Sequence, residues 1–175
     1  MIKPKNIILA TTVLLLCGFT FYQTLTIRPG KGVGPFTINK TTIKEIRATL
    51  GKRKFTTMEW LAPHCGQKYP YKVLNYRDKG ILFKFYASNP HDTDKILSIE
   101  LYGKCDAMTD KQIALNLSRR SDIYKAYGRP KPTEDTIKWF EYPNIGITFA
   151  FSAFNKSNPT DTVQAIYIYD PIIEK

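Results

Sequence analysis

The sequence predicts an α+β fold: two tandem helix-plus-antiparallel-sheet repeats behind an N-terminal membrane segment. Three observations lead there: a series of motifs that occurs twice in the same order, period-two apolar alternation after each helix signal, and a 19-residue apolar run near the N-terminus. Ser88-Asn89-Pro90-His91-Asp92-Thr93 returns as Ser157-Asn158-Pro159-Thr160-Asp161-Thr162, 69 residues later. Tyr76-x3-Gly80-Ile81-x-Phe83-x-Phe85 returns as Tyr142-x3-Gly146-Ile147-x-Phe149-x-Phe151 at a spacing of 66, and Ile99-x-Leu101-Tyr102 as Ile166-x-Ile168-Tyr169 at 67. Ile46-x4-Gly51-x2-Lys54 matches Ile123-x4-Gly128-x2-Lys131 at 77. Four pairs in one order, with loop-sized changes in spacing, mark two copies of one supersecondary unit. The chain divides into a leading segment (1–25), a first repeat (26–105) and a second (106–175).

The leading segment reads as targeting. Lys3 and Lys5 precede an apolar stretch from Ile7 to Leu25, about 28 Å long as a helix and close to the hydrocarbon thickness of a bilayer. Positive charge on its N-terminal side places that end in the cytoplasm and the rest across the membrane. The expectation is an uncleaved signal-anchor. A cleavable signal lacks its Ala-x-Ala site here, and a lipidated Cys17 would follow Leu16, where a small residue is usual. Each version leaves the remainder in the cell envelope, extracytoplasmic, in the periplasm or at the cell surface.

That remainder keeps 24 of the 26 basic residues against all 15 acidic ones, a formal +9. Such a balance suits an acidic partner: a protein, an anionic lipid surface or an envelope polymer. Lys52-Arg53-Lys54, Arg119-Arg120 and Arg129 are scattered rather than aligned, so no nucleic-acid partner is expected. Cys65 and Cys105, the only cysteines after the leading segment, read as a disulfide in an oxidising compartment. Closing a loop of about 40 residues, it would stabilise by roughly 3–4 kcal/mol.

Each repeat opens with a helix. Thr42-Ile43-Lys44-Glu45 has the Thr-x-x-Glu form of a capping box. Ile43, Ile46, Ala48 and Leu50 supply an apolar stripe, and Gly51 a stop. In the second copy Ser121-Asp122 leads into Ile123, Tyr124, Ala126 and Tyr127, ending at Gly128 before Pro130. Thr109–Leu117 also reads as helical. Strands are predicted at Tyr71–Tyr76, Ile81–Ala87 and Leu97–Tyr102, then at Thr136–Tyr142, Ile147–Phe154 and Val163–Tyr169. By alternation Ile81, Phe83 and Phe85 face the helices, as do Ile147, Phe149 and Phe151, while Leu82, Lys84 and Tyr86 face away.

The outward positions carry the candidate site. Lys84, Tyr86, Glu100, Tyr102, Phe154, Tyr167 and Tyr169, joined by Lys72, fall on the side of the sheet without helices. Tyrosine combines a large rigid ring with a polar tip, the chemistry that protein interfaces favour. Trp139 aligns with Val73 across the copies, its side undetermined. The Ser-Asn-Pro-x-Asp-Thr segments read as turns. His91, Asp92 and Asp94 could be drawn as metal ligands, but the second copy lacks the histidine. No metal or cofactor is expected.

A helix, a Gly stop, a Tyr-x3-Gly-Ile-x-Phe strand pair and a last apolar strand, in tandem, resembles the β-lactamase-inhibitor-protein fold. That fold is related to the small outer-membrane-assembly lipoproteins of the SmpA/OmlA type. Gly32-Val33-Gly34-Pro35-Phe36, with Lys40-Thr41-Thr42-Ile43-Lys44-Glu45-Ile46 and Leu50-Gly51, is similar to the start of many units of this superfamily. The resemblance spans roughly Gly32 to Tyr169 and implies a non-enzymatic protein that binds other proteins across a sheet surface shared by both units. The tandem inhibitor has a bridge in each unit, whereas this chain has cysteines for one.

The function expected is therefore a membrane-tethered, extracytoplasmic protein-binding module of inhibitor, immunity or assembly type. A basic module docking to anionic lipid or polymer is the alternative, and a hydrolase the remoter one. With two histidines, His64 and His91, no phosphate loop, no nucleophile elbow and no His-Glu-x-x-His, an enzyme is not expected.

Overall fold

Alternation of apolar residues makes each strand segment two-faced, and pairing such segments edge to edge buries one face at once. The computed structural model describes residues 24–61, 68–86, 89–130, 138–151 and 161–171. In chain order the elements are β1 (Leu25–Arg28), β2 (Gly32–Val33), β3 (Phe36–Thr37), α1 (Ile43–Leu50), β4 (Phe55–Leu61), β5 (Lys68–Tyr76), β6 (Ile81–Phe85) and β7 (Ser98–Tyr102). After these come β8 (Ala107–Thr109), α2 (Arg120–Tyr127), β9 (Trp139–Tyr142), a 3₁₀ turn (Pro143–Ile145), β10 (Ile147–Ala150) and β11 (Ala165–Tyr169). The fold is α+β, mostly sheet with two helices among the described residues. A seven-stranded sheet has the order β4-β5-β6-β7-β11-β10-β9, and a four-stranded one the order β3-β2-β1-β8. The large sheet is antiparallel throughout; in the small one β1 runs parallel to β8.

The middle of the large sheet is the β7–β11 pair, in which Glu100 faces Tyr167. These two residues are also 67 apart, the repeat spacing, so a local two-fold relation runs through their pairing. The registers on either side agree. Leu82 pairs with Glu100 as Thr148 pairs with Tyr167, and Asn75 pairs with Leu82 as Glu141 pairs with Thr148. Tight features match too: Tyr76 Oη donates to Gly51 O at 2.6 Å, and Tyr142 Oη to Gly128 O at 2.7 Å. Gly80 and Gly146 take φ of +66° and +67°; a Cβ would lie 2.0 Å from Tyr102 O in one and 2.1 Å from Tyr169 O in the other. Only glycine fits both the left-handed backbone and that approach.

The core lies between the large sheet and the other elements. Phe83, Phe85, Ile99 and Leu101 in one half, with Phe149, Ile166 and Ile168 in the other, are fully buried beside Ile43, Ile46 and Ile123 of the helices. Helix α1 has its capping box: Glu45 N donates to Thr42 Oγ1 and Thr42 N to Glu45 Oε2. Helix α2 starts one residue earlier than the Ser121-Asp122 signal; its cap is Arg119, whose N–H donates to Asp122 Oδ2 at 2.8 Å.

Several expectations change. Thr109–Leu117 is not a helix: Thr109 closes β8, Gln112 and Asn116 take φ of +64° and +59°, and Thr109 Oγ1 accepts from Ile113 N. Ala48 is exposed rather than part of the helix stripe. Strands are shorter at several ends, because β6 stops at Phe85 and β11 begins at Ala165. Lys72 pairs with Phe85 and lies on the helix side, its Nζ donating to Thr57 Oγ1 at 2.6 Å. Cys105 is a free, buried thiol, so the expected Cys65–Cys105 bridge is not made; Cys65 lies outside the described residues. Backbone placement accounts for Cys105, whose N–H donates to Tyr102 O in the turn packed under Gly80. Burial, then neighbouring Asp106, pushes the thiol up to about 11.

Among the described residues no helix is long and apolar enough to cross a membrane. Cys17 and the apolar stretch up to residue 23 lie outside the described part. The stretch's last residue, Leu25, instead opens β1 opposite Ala107.

Candidate binding face

Register decides which side chains share the helix-free face. Across it run Tyr71, Val73 and Asn75 on β5, Leu82 and Lys84 on β6, and Ser98, Glu100 and Tyr102 on β7. Ala165, Tyr167 and Tyr169 on β11, Thr148 and Ala150 on β10, and Trp139 and Glu141 on β9 continue it. Lys84, Glu100, Tyr102, Tyr167 and Tyr169 are therefore brought together as the alternation implied. Tyr86 borders them just past the end of β6, 71% exposed. Phe154, the seventh predicted residue, lies outside the described residues. Trp139 and Val73 both take the helix-free side, paired with Ala150 and Lys84.

The centre of the face is unusual. Glu100 is completely buried, and neither carboxylate oxygen has a partner in good hydrogen-bonding geometry. Lys84 Nζ stands 3.5 Å from Oε2, and the Tyr167 hydroxyl makes a looser contact. Burial raises the Glu100 carboxyl above the usual range; Lys84 and Tyr167 only partly oppose it. Lys84 Nζ also lies 5.5 Å from the Tyr167 ring centroid, a cation–π distance. Tyr167 itself is raised well above an ordinary phenol by burial and then by Glu100. Sequence alternation places Glu100 on this face but carries no signal that a carboxylate would be sealed in its middle.

Two recesses flank this pair. The larger, about 630 Å³, is walled by Tyr71, Tyr86, Trp139, Tyr167 and Tyr169, with Glu141 and Asp170 at its edge. The smaller, about 380 Å³, is bordered by Asn75, Leu82, Glu100, Tyr102, Gln164 and Ala165. The two-fold relation exchanges them: Asn75 stands where Glu141 does, Leu82 where Thr148 does, Tyr102 where Tyr169 does, and Ala165 where Ser98 does. Their tyrosines are tied down differently. Tyr102 Oη donates to Asn75 Oδ1 at 2.6 Å, and Tyr169 Oη shares a 3.1 Å hydrogen bond with Thr148 Oγ1. Trp139 and Tyr167 rings lie 5.8 Å apart, Tyr71 and Tyr86 rings 6.2 Å. Tyr71, Trp139, Glu141 and Asp170 were not singled out from the sequence; the Trp139–Val73 alignment was the one available hint.

The other candidates do not join this face. His91 N donates to Asp94 Oδ2, and Ile43 N and Lys44 N donate to Asp94 O and Asp92 O, so that turn docks on the start of α1. Among the described residues no three His, Cys, Asp or Glu groups gather closely enough to hold a metal. His64 is outside the described part. On the helix side, Lys44, Lys52 and Lys54 border a groove of about 680 Å³ in which Arg47 pairs with Asp92 and Arg53 with Asp78, each at 2.7 Å.

No protein-family profile, no curated protein and no solved structure matches this chain.

Proposed function

We propose that this chain is a non-enzymatic, extracytoplasmic protein-binding module of inhibitor, immunity or assembly type, tethered by its N-terminal segment. It resembles a tandem duplication of the β-lactamase-inhibitor-protein kind of unit. The observation that carries the reading is the helix-free face of the seven-stranded sheet. Six aromatic side chains, Tyr71, Tyr86, Tyr102, Trp139, Tyr167 and Tyr169, stand around two recesses there, with hydroxyls already oriented by Asn75 and Thr148. Ring surface held at low entropy cost is what anchors partner proteins. To test it, the chain from Thr24 onward is used to capture proteins from the solubilised envelope of its source at moderate salt. Affinity for the protein retained is then measured for wild type and for Tyr86→Ala/Tyr102→Ala/Tyr169→Ala. A loss of at least about tenfold with unchanged near-ultraviolet circular dichroism is expected; unchanged affinity rejects the face.

A second reading draws on the helix-side groove. Lys44, Lys52 and Lys54 are exposed there and, among the described residues, form no ion pair, which suits docking to anionic lipid or polymer. Binding of that kind weakens steeply with added salt and is insensitive to the tyrosine variant.

A further inference from the structure

We propose that the larger recess is a receptor for a basic side chain, arginine or lysine, presented by the partner protein. This deepens the binding-face reading and rests on it. The recess is walled by tyrosine and tryptophan rings, whose electron-rich faces attract cations. Its edge is anionic. Glu141 and Asp170 are exposed there, and neither forms an ion pair among the described residues. Asp170 Oδ2 accepts from Asn39 Nδ2 at 3.0 Å, which fixes the carboxylate in place. Among the described residues the one cation lining the recess, Lys84, is already matched by Glu100. Among the described residues the recess therefore keeps two uncompensated negative charges on a chain of formal charge +11, and it complements a cationic ligand.

The smaller recess serves as an internal control. It has the same strand scaffold through the two-fold relation, yet Asn75 replaces Glu141, Gly103 replaces Asp170 and Val73 replaces Trp139. The exposed carboxylates and the tryptophan ring are thus confined to one of two matched concavities. A basic side chain entering the larger one would lay its aliphatic stem along the rings and set its charged head between the carboxylates.

The test uses the Trp60→Phe protein, in which Trp139 is the only tryptophan. It is titrated with N-acetylarginine amide and with the neutral isostere N-acetylcitrulline amide, following Trp139 fluorescence. The expected result is saturable binding of the arginine probe, with citrulline about fivefold weaker or worse. Glu141→Gln/Asp170→Asn should weaken the arginine probe roughly five- to tenfold, and Gln164→Ala at the smaller recess should leave it unchanged. Equal binding of the two probes, no saturable change, or indifference to the double substitution overturns the proposal. If the arginine probe fails while the captured partner still needs the tyrosines, only this inference falls. Where partner binding ignores the tyrosines, the face itself is rejected.

Discussion

On the helix side of the sheet, Ile81, Phe83, Ile99 and Leu101 of one half stand where Ile147, Phe149, Ile166 and Ile168 stand in the other. All eight are buried. On the opposite side, equivalent positions carry Asn75 and Glu141, Leu82 and Thr148, Lys84 and Ala150, Glu100 and Tyr167, Val73 and Trp139. Among the described residues the only aromatic shared there is Tyr102 with Tyr169. Close packing constrains the volume and polarity of a buried face, so two halves with one backbone must keep similar cores. The helix-free side, where Asn75, Tyr86, Tyr102, Glu141, Tyr167 and Tyr169 keep contact with solvent, is less constrained and can specialise. The contrast between a matched inside and an unmatched outside is the reason for proposing the outside as the binding face, and its asymmetry distinguishes the two recesses.

The largest effects should come from breaking the matched side. Phe83→Ala and Phe149→Ala remove fully buried rings packed against Tyr76 and Phe36 in one half and Tyr127 and Tyr142 in the other. Each should cost about 3–5 kcal/mol in urea unfolding. A difference beyond about 2 kcal/mol between them would show that the halves are not packed equivalently. Gly80→Ala and Gly146→Ala come next, at about 2–4 kcal/mol each from left-handed strain plus contact with a carbonyl oxygen. A tolerated alanine at either position would mean that its turn relaxes.

Smaller effects sharpen the comparison at the helices. Thr42→Ala removes a complete capping box and should cost about 1 kcal/mol, whereas Arg119→Ser supplies the missing side-chain acceptor at α2 and should stabilise by about 0.5–1 kcal/mol. The exposed Arg119–Asp161 pair at 4.0 Å contributes little against that gain.

Glu100 gives a pH signature at the centre of the unmatched side. Its folded-state pKa lies above the ordinary 4.5 because burial disfavours the charge, so the folded protein binds the proton more tightly than the unfolded chain. The contribution is full below the unfolded value and is lost as pH rises through the raised folded value. Urea midpoints of wild type relative to Glu100→Gln should therefore fall as the pH rises above about 4.5; parallel curves would mean that the carboxylate is hydrated. Cys105 should resist a thiol reagent in the native state and react on unfolding.

Much of the inner architecture was legible because burial writes a period of two into strands and leaves glycine where backbone closeness requires it. Ile81-Leu82-Phe83-Lys84-Phe85 and Ile147-Thr148-Phe149 show that pattern directly. Strand β4 was not legible: Phe55-Thr56-Thr57-Met58-Glu59-Trp60-Leu61 shows no clean apolar alternation in sequence, and its pairing with β5 at the sheet edge decides its state. Ile113 and Leu115 fall in a segment whose sequence suggests a helix, although both are buried at the two-residue spacing of extended chain. The tyrosines of the face came from alternation alone. Trp139, Glu141 and Asp170 required the β9–β10–β11 registers, which join residues distant in sequence. The expected cysteine pairing rests on compartment, and compartment carries no geometry.

The most direct test of the central claim, that the helix-free face is the binding surface, is site-specific photocrosslinking in cells of the source organism. A photoreactive phenylalanine analogue is placed at Tyr86 or Tyr102 on that face, or at Ala48 or Lys52 on the helix side. The account predicts one discrete protein adduct from the Tyr86 and Tyr102 positions and none of matching mass from Ala48 or Lys52. An adduct confined to the helix-side positions, or the same adducts from all four, would contradict it.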